Sequence, residues 1–295
     1  MYRPRNLISL ITLPLKSLSF NYAKSKILMK IAISGKGGVG KTLLASLLSK
    51  VLFEDGYSVL AIDADPDTNL AASLGFPHPE KIIPISEMKD LIAERTKTQP
   101  GKAGIYFKLN PKVDDLPEKY WQETGGVKLM VMGRTKRGGS GCYCPENVLL
   151  KALISHLLLS RNEVIILDME AGIEHLGRAT AGAVDKLIMV VEPGRRSIET
   201  ARTINGLARD IGLHHMAVVG NKVRSQPDRE FLISSLPGLE FIGFIPYDPA
   251  IVAADQTGLS LFDASQPVTD EVKNIYRRLV PMEQKQTAES SPLKK

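Results

Sequence analysis

With 295 residues, 43% of them hydrophobic, the chain is long enough to bury one large core, and one α/β domain is the expected count. Its formal charge of +6 sits at one end: Arg3, Arg5, Lys16, Lys24, Lys26 and Lys30 are 6 of the 38 basic residues, and the other 32 face 32 acidic residues. A neutral body argues against a nucleic-acid partner, and no run reaches the ~18 apolar residues that a membrane span needs.

Residues 1–28 read as a basic, mildly apolar extension, broken by Pro14 and Lys16 and lacking a secretory apolar run. The expectation is an upstream extension outside the fold, with a targeting or membrane-surface role as the alternative. Met29 leads into the first strand candidate, 30–34. Residues 282–295 are polar and are expected to be a disordered tail, which leaves 29–281 as the single folded domain.

The first strand runs into Gly35-Lys36-Gly37-Gly38-Val39-Gly40-Lys41-Thr42, followed by the apolar segment that starts at Leu43. This is G-x-x-x-x-G-K-[ST] between a strand and a helix, the form of a phosphate-binding loop. Glycines let successive N–H groups turn toward phosphate oxygens, and the helix N-terminus adds partial positive charge there. Residues 35–43 are therefore the expected nucleotide-binding set, with Lys41 on the β- and γ-phosphates and the Thr42 hydroxyl on Mg2+. Ordinary glycine turns are the alternative for such a loop.

A second strand, 58–62, leads into Asp63-Ala64-Asp65-Pro66-Asp67-Thr68-Asn69-Leu70. Three carboxylates beside a triphosphate suit water activation or Mg2+ coordination, with Asp65 the expected catalytic group. Turn formation or helix capping fits Asp63 and Asp67 equally well. Residues 77–126, rich in Pro and Lys, read as an excursion of short helices and loops. Strand candidates resume at 127–132, 163–168, 186–191, 216–220 and 239–244, with helices at 145–160, 196–212 and 268–280. Near-continuous apolar strands alternating with helices imply a buried, mostly parallel sheet of 7–8 strands, with the chemistry in loops at the strands' carboxyl ends.

The strand Val164 to Leu167 ends in Asp168-Met169-Glu170-Ala171-Gly172, an arrangement in which Asp168 would hold Mg2+. Asn221 follows another strand, and Pro246 lies in the loop Ile245-Pro246-Tyr247-Asp248. The only cysteines, Cys142 and Cys144, are two apart, a spacing that chance gives on the order of 1% of the time. Such close cysteines are awkward disulfide partners, and Pro145 predicts a helix start whose positive end favours thiolates.

The whole string Gly35 to Thr42, with its additional Lys36, resembles the deviant P-loop ATPases that include MinD, ParA, the arsenical pump ATPase and nitrogenase iron protein. The resemblance implies an ATP-dependent homodimer in which Lys36 crosses to the partner's nucleotide. It further implies that Asp65 orients the hydrolytic water, that Gly172 offers its N–H to the γ-phosphate, that Asn221 reads the adenine edge, and that Pro246 packs on the base. Lys36, Lys41, Asp65 and Asp168 are thus the expected catalytic set, acting on ATP and ADP.

With Cys142 and Cys144 the resemblance sharpens to the CooC-type nickel-insertion ATPases of carbon monoxide dehydrogenase, over about Met29 to Pro281. A twofold axis would gather four sulfurs, a number suited to Ni2+, Zn2+ or an iron–sulfur cluster. The implied protein is a cytoplasmic nickel chaperone with carbon monoxide dehydrogenase as client. Glu170, Glu174 and His175 are expected on switch-helix surface. The rival classes are an electron-transfer ATPase like nitrogenase iron protein, whose cysteines belong to separate loops, and a MinD- or ParA-like positioning ATPase. The latter needs an amphipathic tail or a basic surface, and Pro281 to Lys285 offers neither.

Overall fold

The computed structural model describes residues 29–98, 108–133, 145–161, 163–173, 176–258 and 260–280. Eight strands form one sheet: β1 (Lys30–Ser34), β2 (Val59–Ala64), β3 (Gln122–Thr124), β4 (Val127–Val131), β5 (Val164–Met169), β6 (Lys186–Val191), β7 (Met216–Val223) and β8 (Phe241–Pro246). Their order is β3-β4-β2-β5-β1-β6-β7-β8. All neighbours are parallel except β3, which pairs antiparallel with β4. The helices are α1 (Lys41–Glu54), α2 (Leu70–Ser73), α3 (Lys89–Thr96), α4 (Leu116–Tyr120), α5 (Pro145–Ser160), α6 (Arg178–Ala181), α7 (Arg195–Asp210), α8 (Gln226–Ser235), α9 (Pro249–Thr257) and α10 (Gln266–Leu279).

Strand periodicity divides the core into two layers. Ile31 and Ile33 of β1 point into a layer built from α1 and α10, including Leu44, Leu48, Val272 and Ile275. Ala32, between them, joins the opposite layer with Leu149, Leu153 and Leu157 of α5 and Ile198 and Ile204 of α7. Because helices cover both faces, the central strands are apolar throughout, and β2 is buried at all six positions.

The seven expected strands are all present, with differences at their ends. β8 lies two residues later than its apolar run, and β7 continues through Asn221 to Val223. The eighth strand, Gln122–Thr124, is polar and mostly exposed at the sheet edge, so it carries no apolar signature. The described part of the 77–126 excursion, residues 77–98 and 108–126, consists of short helices and loops together with β3. The parallel arrangement places the loops after β1, β2, β5, β6, β7 and β8 on one rim.

Candidate nucleotide site

The glycine-rich loop is shaped by close approach. A Cβ on Gly35 would stand 2.4 Å from the Val190 carbonyl oxygen of β6. Gly40, at φ 96°, forms the N-cap of α1, and a Cβ there would lie 2.1 Å from Asn221 Nδ2. The loop's carbonyls are tied back to the protein. Asn221 Nδ2 donates to the Val39 carbonyl at 2.7 Å, Lys222 Nζ donates to the Gly38 carbonyl at 2.6 Å, and the Val39 N–H donates to the Lys36 carbonyl at 3.3 Å. The first turn of α1 thus faces the cleft with helix N–H groups that have no intrahelical acceptor, a ready anion site.

The carboxylates converge on the same end. Lys41 Nζ lies 3.3 Å from Asp65 Oδ2, and the Thr42 hydroxyl donates to Asp168 Oδ2 at 2.7 Å. Asp168 Oδ1 is buried with no hydrogen-bond partner among the described residues. A hydroxyl beside an orphaned buried carboxylate oxygen is a donor set that fits Mg2+. Asp63 is wholly buried and accepts from the N–H groups of Asp65 at 3.2 Å and Leu70 at 3.0 Å, so it holds the turn into α2. Burial, then the charge of Asp168, pushes the Asp63 carboxyl up to about 8 against the pull of those two N–H groups. Burial likewise pushes Asp168 up to about 7, opposed by the Thr42 hydroxyl and Lys41. Asp67 sits on the exposed rim, its N–H donating to Asp65 Oδ1 at 3.0 Å.

Beyond β5 the chain turns tightly: the Gly172 N–H donates to the Glu170 carbonyl at 2.7 Å. Ser34 Oγ, at the end of β1, is within hydrogen-bonding reach of the Glu170 and Gly172 carbonyls at 3.0 and 2.8 Å. On the other side, Asn221 is 2% exposed, and its Oδ1 accepts the Lys222 N–H at 2.8 Å. Its amide therefore serves the loop's geometry while still lining the cleft. Pro246 and Tyr247 line the same cleft, a space of about 670 Å3 that also takes in Gly37, Gly38, Gly40, Lys41, Thr42, Leu43, Asp65 and Asn221. That volume is in the range of small-molecule sites.

Lys36 turns back onto its own chain, with Nζ 3.7 Å from Glu192 Oε1. Glu192 and Ser34 were not among the sequence-derived candidates. Ser34 ends β1 and Glu192 directly follows β6 on the functional rim, and that position was the available signal. Cys142, Cys144, Glu174 and His175 lie outside the described residues. Among the described residues no group of three or more His, Cys, Asp or Glu side chains is placed to hold a metal. The chain leaving β4 is tied to the site: the Met132 N–H donates to the Asp63 carbonyl at 2.8 Å, and the Ser86 N–H donates to the Met132 carbonyl at 3.0 Å.

A parallel sheet carrying a two-lysine phosphate loop, a buried acidic strand end and an aspartate in the loop after β2 defines an ATPase of the deviant P-loop class. The CobQ/CobB/MinD/ParA nucleotide-binding domain matches residues 30–261. The chain belongs to that family, as a CooC-type member of it. It is 45% identical over 254 residues to the carbon monoxide dehydrogenase accessory protein CooC of Rhodospirillum rubrum, covering 85% of this chain and 96% of that protein. It is 44% identical over 257 residues to an uncharacterized ATP-binding protein of Methanocaldococcus jannaschii, covering 86% and 98%. Among solved structures it resembles a chain of the MinC:MinD cell division protein complex of Aquifex aeolicus, with a TM-score of 0.60 and 24% identity over 90% of this chain and 98% of that one. MinD of Pyrococcus horikoshii, solved with Mg-ADP, also gives a TM-score of 0.60, at 17% identity over 87% and 98%. At those identities the likeness speaks for the fold.

Proposed function

We propose that the chain is an ATP-hydrolysing metal chaperone that carries nickel on Cys142 and Cys144 and helps insert it into carbon monoxide dehydrogenase. The observation that carries this reading is one chain joining the Lys36 phosphate loop to a C-x-C pair, in a sequence 45% identical to a carbon monoxide dehydrogenase accessory protein. Two thiolates are half of a four-sulfur site, and a twofold axis between two subunits completes it. Zn2+ shares the preference for sulfur, so the metal is the point to measure. Among the described residues no helix is long and apolar enough to cross a membrane, which is compatible with work in the cytoplasm.

In this reading Lys41 binds the β- and γ-phosphates and gives up its contact with Asp65 to do so. Thr42 and Asp168 would hold Mg2+, which when bound neutralises charge on those phosphates. Asp65, freed from Lys41, orients the attacking water. Gly172 must break its turn with Glu170 to present its N–H to the terminal phosphate, so occupancy by ATP reshapes the loop that Ser34 now holds. Lys36 reaches the partner's phosphates, closing the two subunits and gathering the four cysteines around one metal ion. Hydrolysis loosens that closure and releases the cargo.

The deciding experiment measures nickel and zinc bound per subunit, and oligomer size, with and without ATP. One metal per two subunits in the presence of ATP is expected. The double variant Cys142→Ser with Cys144→Ser should lose the metal and keep ATP binding. Retention of stoichiometric metal by that variant overturns the ligand assignment.

A further inference from the structure

Glu192 follows the last residue of β6 and stands between two cations. Its Oε1 lies 3.7 Å from Lys36 Nζ and its Oε2 lies 3.0 Å from Lys222 Nζ. Lys222 is unusual in its own right. Its backbone is left-handed at φ 55°, a conformation that costs a residue with a Cβ and persists only where its surroundings enforce it. Here the Lys222 N–H is held by Asn221 Oδ1 at 2.8 Å, and its ammonium is shared between the Gly38 carbonyl at 2.6 Å and Glu192. The strained lysine thereby pins the carboxylate to the phosphate loop. Glu192 does not line the nucleotide cleft, so its negative charge serves the lysines rather than the bound nucleotide.

We infer that Glu192 is a positioning residue: an intramolecular counter-ion that keeps Lys36 folded against its own subunit until the phosphates of a second subunit's ATP draw it away. The inference rests on the homodimer reading above. The Lys36 and Glu192 side chains are 35% and 26% exposed, so water and salt screen their attraction and the latch is weak enough to open. A triphosphate carries more negative charge than one carboxylate and takes Lys36 in the closed dimer. Loss of the terminal phosphate weakens that competitor, and Lys36 returns to Glu192. Lys222 keeps Glu192 from following Lys36 across the seam.

The test is the dimer dissociation constant in saturating Mg-ATPγS, measured by sedimentation on the full chain. Glu192→Gln removes the counter-ion and should tighten the dimer about tenfold, since two latches open per dimer and each exposed pair is worth a factor of about three. Lys222→Gln, at the same saturating nucleotide, should weaken the dimer, because Glu192 then serves Lys36 alone. Opposite shifts from two neighbouring substitutions are not what general loosening of the loop gives, and the second variant decides the matter if the first fails to fold. An unchanged or weaker dimer in folded Glu192→Gln, or a tighter one in Lys222→Gln, overturns the latch while leaving the dimer reading intact. A wild-type chain that stays monomeric with ATPγS overturns the dimer reading and the latch with it.

Discussion

Asp63 of β2 and Asp168 of β5 stand directly opposite each other on neighbouring parallel strands, both fully buried. The first holds the turn into α2 and the second meets Thr42, so the loops after β2 and β5 start from a single cross-strand pair of like charges. Burial raises both pKa values, with the charge of Asp168 adding to it at Asp63 and that of Asp65 at Asp168, which means that the folded chain keeps protons that the unfolded chain has released.

Folding therefore takes up protons between the ordinary carboxylate range and about pH 8, and stability falls as pH rises through that window. Nucleotide-free and magnesium-free protein is expected to melt at a lower temperature at pH 8 than at pH 5.5. Asp63→Asn, which cannot ionise, should flatten that slope. Calorimetry across the window checks it, and a melting temperature that climbs with pH would contradict the assignment.

Asp65→Asn should separate binding from chemistry. The side chain keeps its size, so ATP should still bind, and Lys41 no longer has to leave a carboxylate 3.3 Å away. In the proposed mechanism Asp65 positions the attacking water, so its loss should slow single-turnover hydrolysis by about 10²- to 10⁴-fold. Nucleotide titration alongside rapid-quench hydrolysis measures both; comparable losses in affinity and rate would assign Asp65 to binding instead.

Much of this site was legible from residues because each part combines an apolar strand with a polar punctuation mark. Gly35 to Thr42 after Ile31-Ala32-Ile33, and Asp168 after Val164 to Leu167, needed no tertiary knowledge. Asp63 and Asp67, in the loop after β2, looked alike in sequence, and only burial separates Asp63, enclosed in the sheet, from Asp67 on the rim. Glu192 could not be paired with Lys36 because 155 residues intervene and only the adjacency of β1 and β6 joins them. β3 escaped notice since an exposed edge of Gln-Glu-Thr needs no apolar face.

Asn221 offers a test between two roles. If its amide serves to clamp the phosphate loop through the Val39 carbonyl, Asn221→Ala should weaken inorganic triphosphate and ATP by the same factor. Removing the donor leaves a buried carbonyl unpaired, a cost of about 1–3 kcal/mol, or roughly 5- to 150-fold in affinity if it falls on the binding-competent loop. A loss confined to ATP would assign the amide to the adenine edge. Competition titration with both ligands distinguishes the outcomes.

Glu163, 9% exposed just before β5, supports the sheet at the opposite end from the site. It accepts hydrogen bonds from Ser58 Oγ at 3.0 Å, Lys128 Nζ at 2.5 Å, and Arg161 Nε and Nη2 at 2.9 and 2.6 Å. Lys128 and Arg161 lie 4.2 and 5.2 Å from the centre of the Trp121 ring, so this carboxylate also anchors the cations that cover the residue before β3. Burial pushes its pKa up, but the bonds from Lys128 and Arg161 outweigh burial and hold it below the ordinary value. A depressed carboxylate stabilises the fold above its unfolded pKa of about 4.3 and loses that contribution as pH falls through the folded value. Glu163→Gln takes the carboxylate from Lys128 and leaves Arg161 with Glu118 alone, and should cost about 2 kcal/mol, lowering the melting temperature by roughly 4–8 °C. Because the cluster is remote from the phosphate loop, ATP affinity at temperatures well below melting should be unaffected. Denaturant titrations at pH 7 and pH 4 should show the wild type and the variant converging as the pH drops, and a gap that persists undiminished at pH 4 would mean that the charge on Glu163 is not what holds this corner together.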